Sequence, residues 1–103
     1  MEQRYERTGK TLRCFMPKEL DQHIAKILCE EIDRMIEHYG IRELVFDFTK
    51  TEFMDSSGIG VLIGRSRTMQ YHEGIVNACN MLPRVKRMFE AAGLHRIIHI
   101  KED

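Results

Sequence analysis

The sequence lacks the features that mark several classes of protein. It has no tryptophan and only two prolines among 103 residues, and its 16 basic and 16 acidic residues give a formal net charge of zero. A dedicated nucleic-acid-binding domain usually carries an excess of basic residues, so direct binding to nucleic acid is not expected. A neutral chain is also not drawn to an anionic membrane surface by its charge.

Cysteine is scarce, and long hydrophobic runs are missing. The three cysteines, Cys14, Cys29 and Cys79, form no C-x-x-C pair, which is typical of buried thiols in a reducing compartment. The first five residues are polar and contain no signal-peptide core. The longest apolar run, residues 59–64, is far too short to cross a bilayer. We therefore expect a cytoplasmic protein that is not inserted into a membrane.

The motifs of common enzyme and cofactor sites are incomplete. Gly58 and Gly60 resemble the start of a dinucleotide fingerprint, but the third glycine, Gly64, comes one position late. Neither a nucleophile elbow nor a phosphate-binding loop is present. His95 and His99 could share one face of a strand, but no further zinc ligand accompanies them. We expect no catalysis, no cofactor and no metal site.

The composition and the periodicity indicate one α/β domain, residues 1–103. Hydrophobic residues make up 43% and charged residues 31%, as in an ordinary globular protein. The pattern predicts strands over residues 3–8, 11–16, 44–48, 75–79 and 94–100, and helices between Asp21 and Gly40, over 57–72, and between Pro83 and Gly93. Strands joined through helices are parallel, so we expect a mixed, mostly parallel sheet of about five strands with three helices packed on it.

Capping residues mark the ends of the predicted helices. Asp21 is a good N-cap for the first helix, because its carboxylate can accept from the free N–H groups of the first turn. Gly40, Gly74 and Gly93 are expected to close the three helices, since glycine enters the left-handed conformation at little cost.

The segment Asp55-Ser56-Ser57-Gly58 is the most informative part of the chain. It lies between a buried strand and a helix, which places two hydroxyl groups at the positive end of the helix dipole. Such a position suits an anion, including a phosphate attached to a serine. Asp and Ser are also common helix caps, so a purely structural role for Asp55 remains an equal alternative.

Ser56, Gly60 and Gly64 are spaced four residues apart and therefore share one face of the helix. Glycine within a helix costs about 1 kcal/mol relative to alanine. Two glycines on one face predict a close approach by another backbone, which belongs either to this protein's own sheet or to a partner.

Residues 53–65, FMDSSGIGVLIGR, resemble the STAS-domain anti-sigma factor antagonists, and the resemblance is strongest to the sporulation branch of that family. Residues 19–23 and 83–94 resemble other segments of the same family, so nearly the whole chain is covered. One departure concerns residues 16–18, where Met-Pro-Lys replaces the usual glycine before Glu-Leu-Asp. This changes the loop that leads to Asp21.

The resemblance implies a protein that binds an anti-sigma factor in its unphosphorylated form and so releases a sporulation sigma factor. The anti-sigma factor of this family is also a serine kinase, and the resemblance implies that it phosphorylates Ser56. A PP2C-type phosphatase is expected to reverse the modification. The residues expected to bind the partner are Asp21, Asp55, Ser57, Gly58, Gly60 and Gly64, with Asp21 and Asp55 flanking Ser56 and with the Ser57 hydroxyl bonded to nearby backbone.

Three other functions are weighed against this one. The first is an antagonist or adaptor in a general stress-response or other partner-switching pathway. The second is an enzyme that uses Asp21 and Asp55, but the sequence offers no base, nucleophile pair or phosphate loop beside them. The third is a lipid- or anion-binding domain of a transporter, for which the chain supplies no membrane segment.

Overall fold

A computed structural model describes residues 3–101 of the chain, so the first two and last two residues of the predicted 1–103 domain lie outside the description. The helices and strands follow the order that the sequence predicts, with two short strands added. In chain order they are β1 Tyr5–Thr8, β2 Thr11–Phe15, β3 Glu19–Leu20, α1 Gln22–Tyr39, β4 Glu43–Asp47, β5 Phe53–Met54, α2 Ser56–Tyr71, β6 Ile75–Cys79, α3 Pro83–Ala91, a 3₁₀ turn Leu94–Arg96 and β7 His99–Lys101.

The main sheet has five strands in the order β1-β2-β4-β6-β7. β1 is antiparallel to β2, and the other neighbours are parallel. The predicted α/β class, the mixed sheet and the three helices are therefore confirmed. The first hairpin turns at Gly9, whose φ of 61° lies in the left-handed region that glycine adopts readily.

One face of the sheet carries the hydrophobic core. Cys14, Phe46 and Ala78 lie side by side in register on β2, β4 and β6, and all are fully buried. The buried residues of the helices join them in a single cluster, which includes Leu28, Ile32 and Ile36 of α1, Val61, Leu62 and Met69 of α2, and Val85 and Phe89 of α3. The apolar faces of the three helices therefore hold them against the sheet, and the placement of α2 sets that of Ser56, its first residue.

Three residues of α1 depart from a simple division into an apolar and a polar face. Ile27 and Tyr39 recur at the helical spacing of the apolar residues but are 45% and 43% exposed. The guanidinium of Arg7 lies 4.3 Å from the centre of the Tyr39 ring and covers it from β1. The charged side chain of Asp33 reaches α2, where its Oδ1 lies 2.7 Å from Nε of Arg65. This ion pair connects α1 to α2.

The predicted last strand, residues 94–100, is wrong in its first half. Gly93 adopts a φ of 77°, and Leu94 then begins a 3₁₀ turn in which its carbonyl accepts from the N–H groups of Ile97 and Ile98. Leu94 is fully buried, so the turn is held by core packing as well as by hydrogen bonds. The strand forms only from His99, where β7 begins to pair with β6.

The expected role of Gly74 is also wrong, whereas Gly40 and Gly93 close their helices as predicted, with φ values of 62° and 77°. The left-handed residue after α2 is Glu73, with a φ of 59°. A Cβ atom on Gly74 would lie 2.6 Å from Cε of Met69 and 2.7 Å from the carbonyl oxygen of Arg42. Glycine is required there by close packing.

The strands β3 and β5 form a separate parallel pair, in which Glu19 lies opposite Phe53 and Leu20 opposite Met54. Two residues are too few to show an alternating pattern, so the sequence did not predict this pair. The pair places the beginnings of α1 and α2 side by side, because each helix starts directly after one of these strands.

Gly58 of α2 packs directly on this small sheet. The residue is buried, and a Cβ atom there would overlap the carbonyl oxygen of Leu20 and lie 2.8 Å from its Cγ. A Cβ on Gly60, two residues further along, would contact nothing within 4 Å. The fold therefore requires glycine at position 58 but does not require it at position 60.

The face of the sheet opposite the core contains a polar network centred on Asp47, which is only 4% exposed. Its Oδ2 accepts from Arg13 at 3.0 and 2.7 Å, and its Oδ1 accepts from the backbone and hydroxyl of Thr49 and from Asn80. Burial acts to raise the pKa of Asp47, but the hydrogen bonds from Thr49, Arg13 and Asn80 outweigh it and hold the pKa below its ordinary value.

Exchanging Gly58 for alanine is expected to lower the free energy of unfolding by about 1–3 kcal/mol, because the added methyl group overlaps the Leu20 carbonyl. The matched change Gly60→Ala should raise stability by about 0.5–1 kcal/mol, since it relieves the helix penalty of glycine in open space. Urea unfolding of both variants measures the contrast. Equal stabilities would show that the Gly58 contact imposes no packing constraint.

Substitution Asp47→Asn is expected to cost about 1–3 kcal/mol of stability at neutral pH, because a charge-assisted pair with Arg13 is lost. Because the pKa of Asp47 is lowered in the folded protein, its carboxylate stabilises the fold at pH values above the pKa in the unfolded chain, about 3.9. This contribution disappears as the pH falls through the lower pKa of the folded state. The two proteins should therefore converge in stability in acid. Urea unfolding at several pH values tests this, with the exposed-site variant Glu37→Gln as control; a gap that is independent of pH would contradict it.

Candidate functional site

The site is built where α2 begins, at the carboxyl end of β5. Asp55 has extended backbone angles and caps the helix, because its Oδ1 accepts from the N–H groups of Ser57 at 2.9 Å and Gly58 at 3.0 Å. The capping alternative for Asp55 is therefore realised in the structure. Two of the free N–H groups of the first turn are satisfied, and the direction of the helix is fixed.

Asp55 also reaches the second helix of the site. Its Oδ2 accepts from the N–H of Gln22, the first residue of α1, at 3.3 Å, and its own N–H donates to the carbonyl of Leu20 at 3.2 Å. Asp21 caps α1, as predicted, with Oδ1 accepting from His23 at 2.9 Å. Two helix N-termini and two carboxylates are thus brought together at one edge of the molecule.

Ser56 is the first residue of α2 and is exposed to solvent. Its hydroxyl lies at the positive end of the α2 dipole, close to the start of α1, so a negative group attached there is favoured by the backbone of this fold. The carboxylates of Asp21 and Asp55 oppose such a group, but both are already engaged by N–H donors. Ser57 is half-buried and takes part in the cap through its backbone N–H. The predicted bond from its hydroxyl to nearby backbone is wrong, since no such bond forms among residues 3–101.

The predicted face of small residues is divided by the structure. Gly60 is exposed and Gly64 half-buried, and a Cβ atom on either would contact nothing within 4 Å. The fold itself therefore does not supply the close backbone contact that these two glycines predict. Gly58 does not belong to this surface, since it is buried against Leu20. We call Ser56, Gly60 and Gly64 the glycine face.

Sequence reasoning missed two exposed apolar side chains near this edge. Phe53 of β5, three residues before Ser56, is 45% exposed, and Leu82, which precedes α3, is 39% exposed. An ion pair of 3.6 Å between Glu52 and Arg84 connects the segment before β5 to α3. The available signal was a large apolar residue within three positions of each helix start, but the sequence does not reveal whether such a residue is buried.

Other kinds of site find no support in the described part of the chain. Among residues 3–101, no group of three or more histidine, cysteine, aspartate or glutamate side chains is arranged to hold a metal ion. In the same range, no helix combines the length and hydrophobicity needed to cross a bilayer. The burial of Cys14 raises the pKa of its thiol, so that the group stays protonated as part of the core.

The sequence of this chain matches a known protein family and several characterised relatives. The sequence matches the STAS domain family over residues 4–103. It is 31% identical over 85 residues to the anti-sigma F factor antagonist of Paenibacillus polymyxa. The aligned region covers 82% of this chain and 73% of that protein. This chain is 29% identical over 99 residues to the anti-sigma-B factor antagonist of Listeria monocytogenes, covering 93% of this chain and 83% of that protein.

A solved structure shares the fold. The Bacillus cell fate determinant SpoIIAA, in its phosphorylated form, superimposes with a TM-score of 0.77 at 26% identity, covering 96% of this chain and 90% of that one. The order of strands and helices, the match over residues 4–103 and the 31% identical relative agree with one another. This chain therefore belongs to the STAS domain family and is an anti-sigma factor antagonist of the STAS type.

Proposed function

We propose that the unphosphorylated chain binds an anti-sigma factor that is also a serine kinase, and that phosphorylation of Ser56 by this kinase ends the binding. One observation carries the proposal: Ser56 presents an exposed hydroxyl at the start of α2, on the same face as Gly60 and Gly64, where a Cβ atom would meet nothing of this fold. Binding of the anti-sigma factor in the cytoplasm then releases its sigma factor.

The glycine face suits a partner that packs closely. Without side chains at positions 60 and 64, a partner backbone can approach the helix to van der Waals distance. A serine at the end of this surface lies within the contact, so a modification of its hydroxyl acts directly on the interface. In this proposal Asp21 and Asp55 position the surface through their caps, and Ser57 and Gly58 contribute through backbone contacts beneath it.

The size of the electrostatic change is sufficient for a switch. A phosphate adds about −1.5 to −2 charges. Two unit charges about 4 Å apart at an effective dielectric constant near 20 interact by roughly 4 kcal/mol, whereas a hundredfold loss of affinity needs only about 2.7 kcal/mol. A phosphate facing an acidic or tightly packed partner surface therefore breaks the complex. The fold keeps its shape, because the helix N-termini favour the added charge.

The circuit includes a phosphatase and a particular sigma factor. We propose that a PP2C-type phosphatase restores the active form and that the sigma factor is a sporulation factor, in line with the anti-sigma F relative. A second candidate is a general stress-response pathway, which the anti-sigma-B relative supports at nearly equal identity. Both pathways would use the same glycine face, so the choice of kinase distinguishes them.

Incubation with the cognate anti-sigma kinase and ATP is expected to add one phosphate to Ser56 and to reduce kinase binding by about a hundredfold or more. Intact-mass measurement, peptide mapping and calorimetry follow the change. Ser56→Ala should bind the kinase and remain unmodified, while Ser57→Ala should still be modified at Ser56. A phosphate on Ser57, or a modified protein that binds unchanged, would contradict the proposal.

Exchange of Gly60 for leucine is expected to weaken kinase binding about tenfold or more while leaving the fold intact. The new side chain has open space in this protein but occupies the volume assigned to the partner backbone. Glu30→Leu, an exposed position on α1, is the matched control. Surface binding kinetics and urea unfolding separate the two effects, and a Gly60→Leu variant that binds as tightly as the control would exclude the glycine face from the interface.

A further inference from the structure

A second surface, distinct from the glycine face, lies at the opposite end of α2. Here the last turns of α2, the start of β6 and the 3₁₀ turn before β7 enclose an open groove of about 810 Å³. Gln70 of its wall is separated from Ser56 by fourteen residues of one helix. At 1.5 Å per residue, Gln70 lies about 21 Å from Ser56 along the helix axis and Arg67 about 16 Å. The lining begins at Ile63, about 10 Å from the serine. A partner seated in the groove would therefore leave Ser56 accessible.

The groove carries charge of one sign, although the chain as a whole is neutral. Arg67 of α2 and Arg96 of the 3₁₀ turn line it together with His95 and His99, and all four residues are exposed. None of the described residues that line the groove is aspartate or glutamate. Within residues 3–101, neither arginine forms an ion pair with a carboxylate, whereas Arg13 and Arg65 each do. The two guanidinium groups are available to a partner.

The groove also contains apolar surface. Ile75 at the start of β6 is 60% exposed and Ile97 before β7 is 51% exposed, while the buried Leu94 and Ile98 form part of the floor. Exposed large apolar residues that lie together and are surrounded by polar groups commonly mark an interaction site. The groove therefore combines exposed apolar side chains with exposed basic ones, above a buried lining that also includes the polar Ser66 and Asn77.

We propose that this groove, with Arg67 and Arg96 on its rim, docks an acidic amphipathic segment of a second protein partner, separate from the kinase at Ser56. Apolar side chains of the segment cover Ile75 and Ile97, and its carboxylates pair with Arg67 and Arg96, which can bind them through two parallel N–H donors. Electrostatic complementarity determines the choice of partner. A polypeptide suits the groove, because the groove is open to solvent and is lined in part by His99 of the outermost strand β7.

The test uses the full chain, labelled with nitrogen-15, and a short helical peptide of leucine, alanine and glutamate as the probe. Amide shifts are expected at Arg67, Gln70, His95 and Ile97 but not at Ser56, and the affinity should fall as salt is raised. The same peptide with lysine in place of glutamate should not bind. Shifts centred on the glycine face, or equal binding of the two peptides, would overturn the proposal.

Variants of the groove separate its function from that of Ser56. Arg67→Glu combined with Arg96→Glu should weaken peptide binding about tenfold or more, whereas Lys26→Glu with Arg34→Glu, which changes the net charge equally on the solvent face of α1, should have little effect. Ile97→Ser tests the apolar part by the same measurement. All three proteins should still be phosphorylated at Ser56, so failure of the groove proposal is distinguishable from failure of the proposed function.

Two further outcomes would also overturn the proposal. If decanoate shifts the same amides and the glutamate peptide does not, the groove binds a small amphiphilic anion. If light scattering shows a dimer that the Arg67→Glu and Arg96→Glu changes dissociate, the groove is an interface between two copies of this chain.

Discussion

The edge of the molecule where α1 and α2 begin, and where Ser56 lies, depends on one carboxylate, that of Asp55. Its Oδ1 caps α2, and its Oδ2 accepts from the first N–H of α1, so a single side chain joins the starts of two helices. Beneath it, β3 and β5 pair in parallel, and Gly58 allows α2 to rest directly on the Leu20 carbonyl. Ser56 is exposed at a fixed place because the cap at Asp55 and the packing of Gly58 on Leu20 hold the backbone on either side of it.

Local signals in the sequence were sufficient to predict most of the architecture. The caps Asp21 and Asp55 and the helix-ending Gly40 act through their own backbone neighbours, so residue type alone indicates their role. The order of strands and helices along the chain followed from alternating hydrophobicity and helical periodicity, and the parallel pairing followed from the helical connections. These features depend on short-range physics that does not need the final packing to be known.

The structural features that could not be predicted from the sequence depend on contacts between segments far apart in the chain. The β3–β5 pair is too short to show a period, and the 3₁₀ turn at Leu94 is set by burial against the core. The three glycines of α2 look alike in the sequence, yet Gly58 faces Leu20 whereas Gly60 and Gly64 face open space. Their separation into an inner contact and an outer surface requires the position of β3, which lies more than thirty residues earlier in the chain.

The net charge of zero conceals an unequal distribution along α2. The end that carries Ser56 has the carboxylates of Asp21 and Asp55 beside it, while the groove at the other end has Arg67 and Arg96 and no carboxylate among its described lining. The Debye length at physiological ionic strength is about 8 Å, about half of the roughly 16 Å of helix that separates Arg67 from Ser56. A phosphate on Ser56 would therefore be largely screened from Arg67, so the proposed modification and the proposed groove partner would act independently.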